Sequence, residues 1–263
     1  MRQGDESFVA ELAASARKTI GEGYYNLEDA KLPHRSMVEA IAHTGRTPVI
    51  AEVKFRSPAE GSLRSHSEVA KIAEAYQRGG VAGISVLAEP KHFEGRLEYV
   101  TEVKRSVTIP VLMKDIVIDP IQISAAALAG ADVILLMASI FAARLSKNSL
   151  GQMVDLAHEK GLEVLLEAHT EEEYIGALQS GADLVGINNR NLHTLEVSLD
   201  TSRRLLRKNI DKNSKPVVCE SGISKRSEIL ELSSLGADGF LVGSAIMKAK
   251  DLEQAVRNLT GVQ

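Results

Sequence analysis

Tryptophan is absent from this 263-residue chain, and that absence alone excludes nothing. The scarcity of cysteine says more. Cys219 is the only one, so no disulfide can form within the chain, and a cytoplasmic enzyme is the class that fits. No run of 18 apolar residues occurs, which argues against a membrane-spanning helix. The opening stretch MRQGDESFVAELAASARKTI lacks the apolar core of a signal peptide and reads as an amphipathic helix. Basic residues are not in excess either. The formal net charge is −4, so the electrostatic footprint of a nucleic-acid binder is missing. There is no HExxH, no Cys/His ligand spacing among the seven histidines, no GxSxG and no Walker A loop, so neither a metal nor a cofactor is expected.

What is present is ordinary in bulk and patterned in detail. With 44% hydrophobic and 25% charged residues the chain has globular proportions, and its length can bury a large core. One phrase recurs in four versions: PVIAEVK from Pro48, PVLMKD from Pro110, EVLLEAH from Glu163 and PVVCESG from Pro216. Each has three apolar residues after its first position and a charge at its fifth, namely Glu52, Lys114, Glu167 and Glu220. A charge on an otherwise apolar strand is costly to bury unless it is paired or hydrated. Four at matched positions indicate a site.

A second series interleaves with the first. RGGVAGISVL, LAGADVILLM, QSGADLVGIN and SLGADGFLVG each put a small-residue turn before an apolar run, with Gly80, Gly130, Gly181 and Gly236 at the turns. Glycine there suits a left-handed helix cap leading into a strand. The merged series predicts eight strands, near 49–55, 83–88, 110–114, 132–138, 163–167, 183–188, 216–220 and 238–243. Helical patterns fill the gaps. Asp119 before Pro120 reads as an N-cap, and Thr170 with Glu173 as a capping box. Eight strands alternating with helices imply a closed parallel (β/α)8 barrel, with an open doubly wound sheet as the runner-up. No GxGxxG follows the first strand to favour the latter. The chain is read as one domain over 1–263, with 1–47 as a helical extension whose helices pack over one barrel end.

In such a barrel, alternate strands contribute the side chains of each interior layer, and active sites lie at the C-terminal mouth. Glu52, Lys114, Glu167 and Glu220 fall on strands 1, 3, 5 and 7, so they are expected to share a layer near that mouth. Lys54, two residues after Glu52, points the same way, and Asn188 adds a polar group late on strand 6. Interior salt bridges that stabilise the barrel are the alternative reading of any one of these charges. Buried pairs rarely improve stability, so a five-charge cluster is better explained as acid–base machinery. ESGIS at 220–224 and LVGSAIM at 241–247 put Gly222, Gly243 and Ser244 in the loops after strands 7 and 8, where barrels of this kind bind phosphate. Arg56 and Arg190 sit just beyond strands 1 and 6; surface arginines are usually solvated, though either could here meet an anionic substrate.

These blocks also carry a family likeness. IAEVKFRSPAEG, VLMKDIVIDPIQI, LLEAHTEEE, GINNRNL and VCESGI…LVGSAIM resemble, in order and spacing, the motifs of the indole-3-glycerol phosphate synthase family. The resemblance implies ring closure, decarboxylation and dehydration of 1-(2-carboxyphenylamino)-1-deoxyribulose 5-phosphate. It implies Lys114 as general acid at the ribulose carbonyl and Glu167 as its acid/base partner in dehydration. Glu52 and Asn188 would orient these groups, and Lys54 would contact the anionic substrate and act in proton transfer. Ser57, Glu220 and Ser221 would bind substrate, with Arg190 near its carboxylate. Phe93 and Leu135 would enclose its aromatic ring, and Gly222, Gly243 and Ser244 would hold its phosphate. The expected partner is thus a small phosphorylated substrate, without nucleic acid or membrane, bound by a monomer. A phosphoribosylanthranilate isomerase-like barrel and a non-catalytic phosphosugar-binding barrel are the alternatives. Neither accounts for Lys54, Lys114 and Glu167 together.

Overall fold

A computed structural model describes residues 8–65, 68–192, 194–208, 210–211 and 215–262. Eight strands pair in parallel and close on themselves: β1 (Val49–Val53), β2 (Gly83–Leu87), β3 (Val111–Lys114), β4 (Val133–Met137), β5 (Glu163–Ala168), β6 (Leu184–Asn188), β7 (Val217–Glu220) and β8 (Gly239–Val242). Each pairs with its neighbour in chain order, and β8 pairs back to β1 through Val49 beside Phe240 and Ala51 beside Val242. Strands in a barrel wrapped by helices are buried on both faces, which is why they read as unbroken apolar runs. All five residues of β1, β2, β4 and β6 are buried. The barrel expected from the interleaved repeats is the fold observed.

The turns that return the chain to each strand differ in detail. Gly80, Gly130 and Gly236 adopt positive φ, as the cap reading requires. Gly181 does not. There Ser180 caps the helix Glu171–Gln179 in an extended conformation, its hydroxyl donating to the Ala177 carbonyl and accepting from the Ala182 N–H. A side chain closes that turn, so the backbone has no need of the left-handed region. The capping boxes at Asp119 and Thr170 are both formed.

The N-terminal extension departs from expectation. Its two helices, α1 (Phe8–Gly21) and α2 (Met37–His43), serve opposite ends of the barrel rather than one; the amphipathic pattern before Phe8 lies outside the described residues. α2 closes the base. Glu163, the first residue of β5, accepts from the Ser36 hydroxyl and from the backbone N–H of Met37 at 2.8 Å. Met37 and Ile41 join a buried cluster with the interior residues Ile50, Leu112, Val133, Leu184 and Val218. α1 instead lies at the mouth, where Phe8 and Leu12 line the central cavity. The intervening chain descends the outer wall: Tyr24 donates to the Ala88 carbonyl beyond β2, and the Arg35 N–H reaches the Asp132 carboxylate just before β4. Periodicity marks which face of a helix is buried, not which end of a barrel buries it.

Asp132 is itself a structural charge. It pairs with Lys104 at 2.5 Å, both fully buried, and accepts from the Val111 N–H at 2.7 Å. Here the stabilising-salt-bridge reading applies, at the base and away from the mouth.

Candidate active site

The C-terminal ends of the strands surround a cavity of about 470 Å³, within the usual range for small-molecule sites. The charged positions foreseen on alternate strands converge there. Lys114, at the end of β3, sits between two carboxylates: Glu220 of β7 at 2.5 Å and Glu167 of β5 at 3.5 Å. Lys54, just past β1, pairs with Glu52 at 2.7 Å. Glu52, Lys54, Lys114, Glu167 and Asn188 all line the cavity. Glu220 does not. It is 1% exposed and lies beneath the lining, holding Lys114 from below.

Two glycines make this packing possible. A Cβ on Gly186 of β6 would collide with Oε1 of Glu220, and a Cβ on Gly243 would collide with Oε2 of Glu52. Gly243, expected to admit a phosphate, therefore also makes room for a carboxylate. Its φ of −116° is open to any residue, so the close approach is what calls for glycine there. Gly222 has φ of +78° and follows Ser221 at +66°, so the chain after β7 turns through two left-handed residues.

Burial and charge pull against each other at each group. Burial disfavours the Lys114 ammonium, but the carboxylates of Glu220, Glu167 and Glu52 outweigh it and hold its pKa above that of an ordinary lysine. Burial likewise opposes ionisation of Glu52, yet Lys54 and Lys114 bring its carboxyl below the usual range. Glu220 goes the other way. Burial, with the neighbouring Glu167 and Glu52 charges, raises its pKa despite the contact with Lys114. Its Oε1 is buried with no hydrogen-bond partner among the described residues, which also favours the neutral carboxyl. The layer thus holds carboxyls driven in opposite directions around two lysines, a separation suited to acid–base work.

The remaining expected residues fall around this layer. Phe93 and Leu135 line the cavity, as do Ser57, Ser221, Gly222, Gly243 and Ser244. Arg190 lines it too, its guanidinium donating to the Leu195 carbonyl at 2.8 Å. Arg56 points elsewhere and pairs with Glu94 at 2.9 Å. His169 bonds the Asn188 carbonyl through Nδ1 at 2.8 Å, steadying the end of β6. Sequence reading missed Phe8 and Leu12 of α1, Asp115, and the pair Glu60 and Lys248, all in the lining. Asp115 could have been suspected, since it follows Lys114 directly at a strand end. Among the described residues no His, Cys, Asp or Glu cluster is arranged to hold a metal ion. None of the described helices is long and apolar enough to cross a membrane.

Fold and cavity together define a (β/α)8 barrel with an ionisable cluster at its C-terminal mouth, where barrel enzymes carry out their chemistry. Solved structures share the fold. An N-acetylmannosamine-6-phosphate 2-epimerase from Clostridium perfringens superposes with a TM-score of 0.60 at 20% identity, over 88% of this chain and 98% of that one. A thiamine phosphate pyrophosphorylase from Pyrococcus furiosus gives 0.58 at 19%, over 85% and 96%. Sequence comparison is more specific. The family model for indole-3-glycerol phosphate synthase matches residues 9–259. The indole-3-glycerol phosphate synthase of Methanopyrus kandleri is 44% identical over 227 residues, covering 86% of this chain and 87% of that protein. The one from Caldanaerobacter subterraneus is 38% identical over 240 residues, covering 90% and 91%. The chain belongs to the indole-3-glycerol phosphate synthase family of tryptophan-biosynthesis enzymes.

Proposed function

We propose that the protein is a carboxy-lyase that converts 1-(2-carboxyphenylamino)-1-deoxyribulose 5-phosphate to indole-3-glycerol phosphate, and that it does so in the cytoplasm. The observation that carries the proposal is the place of Lys114, between Glu220 and Glu167 at the cavity wall. Ring closure requires the carboxyl-bearing aromatic carbon to attack the ribulose carbonyl while a proton reaches the carbonyl oxygen. Lys114, held cationic beside Glu220, Glu167 and Glu52, is the donor. The attacked ring carbon becomes tetrahedral, and loss of its carboxylate as carbon dioxide restores aromaticity. Dehydration then removes the new hydroxyl as water. Glu167 is the acid/base for that step, with Glu52 and Asn188 orienting the groups and Lys54 neutralising the substrate's charge. Phe93 and Leu135 hold the aromatic ring, Arg190 its carboxylate, and the loops bearing Ser221, Gly222, Gly243 and Ser244 the phosphate. Ser57 binds substrate from the loop after β1.

The test is isotopic. Substrate labelled at the carboxyl carbon is expected to release one labelled carbon dioxide per indole formed. Consumption with the label kept in the organic product would assign the barrel to isomerisation instead, and no consumption would leave a phosphosugar-binding protein.

A further inference from the structure

One contact at the mouth brings two groups given no role so far, Glu60 and Lys248, together with Ser244. Glu60 lies in the loop after β1, between the two arms of a short hairpin formed by Arg56–Ser57 and Gly61–Ser62. Its backbone N–H is anchored on the Ser57 hydroxyl at 3.1 Å. Its carboxylate reaches across to the loop after β8. One oxygen accepts from the Ser244 hydroxyl, and the other pairs with the Lys248 ammonium at 2.6 Å. Ser244 and Lys248 stand one helical turn apart, so hydroxyl and ammonium face the same oxygen-bearing group. Glu60, Ser244 and Lys248 line the same cavity as Gly222 and Gly243.

A hydroxyl and an ammonium converging on two oxygens of one anion make a receptor for oxyanions in general. A carboxylate already seated there identifies what the receptor takes. Partial burial works against that carboxyl, but Lys248, Ser244 and the more distant Lys54 bring it below the usual carboxylate range. A phosphate entering between Ser244 and Gly222 would meet Glu60 as a like charge on the same donors. The two anions exclude each other.

We propose that Lys248 is a ligand of the substrate's phosphate and that Glu60 is the internal anion which the phosphate displaces. The proposal rests on reading the substrate as a phosphate ester held by these loops. Displacement transfers Ser244 and Lys248 from the carboxylate to the phosphate, and it detaches the hairpin after β1 from the loop after β8. The anion therefore governs whether the loop following Lys54 is tied down.

Calorimetric titration of the full chain with inorganic phosphate tests this with Glu60→Gln, Lys248→Met and the double variant. Both side chains are partly exposed, so the fold should tolerate each change. Glu60→Gln is expected to tighten phosphate binding by about fivefold and Lys248→Met to weaken it by about fivefold, the upper size for a partly exposed charge pair. In the Lys248→Met background the gain from Glu60→Gln should largely vanish. Unchanged affinity in Lys248→Met would remove it as a ligand. Unchanged or weaker affinity in Glu60→Gln would show that Glu60 displaces nothing. Wild-type turnover with carbon dioxide release, but without these shifts, would sink this proposal and leave the synthase reading intact. The shifts without turnover would do the reverse.

Discussion

The missing side chain of Gly186 is the space that the Glu220 carboxylate occupies, one strand away in the barrel wall. Glu220 in turn is the closest partner of Lys114, so a residue outside the cavity lining sets the height of the Lys114 ammonium. Gly186→Ala should push Glu220 off its position and misplace Lys114. Displacements near 1 Å can cost on the order of a hundredfold in rate. We expect kcat to fall by roughly that factor with the melting temperature changed only modestly, and steady-state kinetics on the folded variant would read it. A normal kcat would mean that Glu220 can shift without consequence.

The proposed proton donor gives the sharpest test. Lys114→Met should lower kcat by about 10²- to 10⁴-fold, the range for general acid–base catalysis, and Glu167→Gln should be of similar severity. A folded Lys114→Met protein with near-normal turnover would take the role from that lysine. Single-turnover measurements should separate the two, with carbon dioxide release blocked in the lysine variant and preserved in the glutamine variant if Glu167 acts only in dehydration.

Asp115 predicts a pH effect on stability. It is buried beside Lys114, and burial pushes its carboxyl up to about 7 although the Tyr25 hydroxyl at 2.8 Å and the Ile116 N–H at 2.7 Å favour the charged form. A carboxyl whose pKa is raised by folding holds a proton that the unfolded chain releases. Between its ordinary value of 3.8 and about 7 the native state therefore binds the extra proton, and this group's contribution to stability falls as pH rises. Asp115→Asn removes that titration. Relative to wild type, the variant should gain stability steadily across this window and level off above it. Parallel melting-temperature curves for the two proteins would refute the assignment.

At the base, Lys104→Met should leave Asp132 buried and without its cation. Breaking a buried pair in this way costs about 3–5 kcal/mol, readable by urea denaturation. Because the pair lies at the opposite end of the strands from the cavity, kcat per folded molecule should stay unchanged. A stability loss well under 1 kcal/mol would show that the backbone N–H groups of Arg35 and Val111 suffice to hold the carboxylate.

The sequence made the strands legible because burial on both faces leaves unbroken apolar runs, and it made Glu52, Lys114 and Glu167 legible because a charge interrupts such a run conspicuously. Glu220 was visible by the same signal, but the signal does not distinguish a group lining a cavity from one supporting it beneath. Gly186 and Gly243 were harder. A glycine's need for space depends on a side chain from a neighbouring strand, and that neighbour is known only once the register is known. Glu60 and Lys248 carried no mark at all. Charges in surface loops are usually solvated, and only the folded chain brings residues 188 positions apart into contact. Gly181 shows the converse: its pattern matched its fellows, but the hydroxyl of Ser180 closed the turn.

The placement of α2 bears on the order in which the molecule can be completed. This helix is made early, yet its seat is assembled from strands scattered along the whole chain. Met37 packs against Gly83, Ile41 approaches Gly239, and the helix start is tied to Glu163. The full seat exists only after β8, the last strand synthesised, has joined β1. The segment that emerges early therefore has its complete seat only when β8 is in place, and without the helix the lower interior of the cylinder would face water. Closure of the cylinder and the covering of its floor thus draw on the same strands, β8 among them.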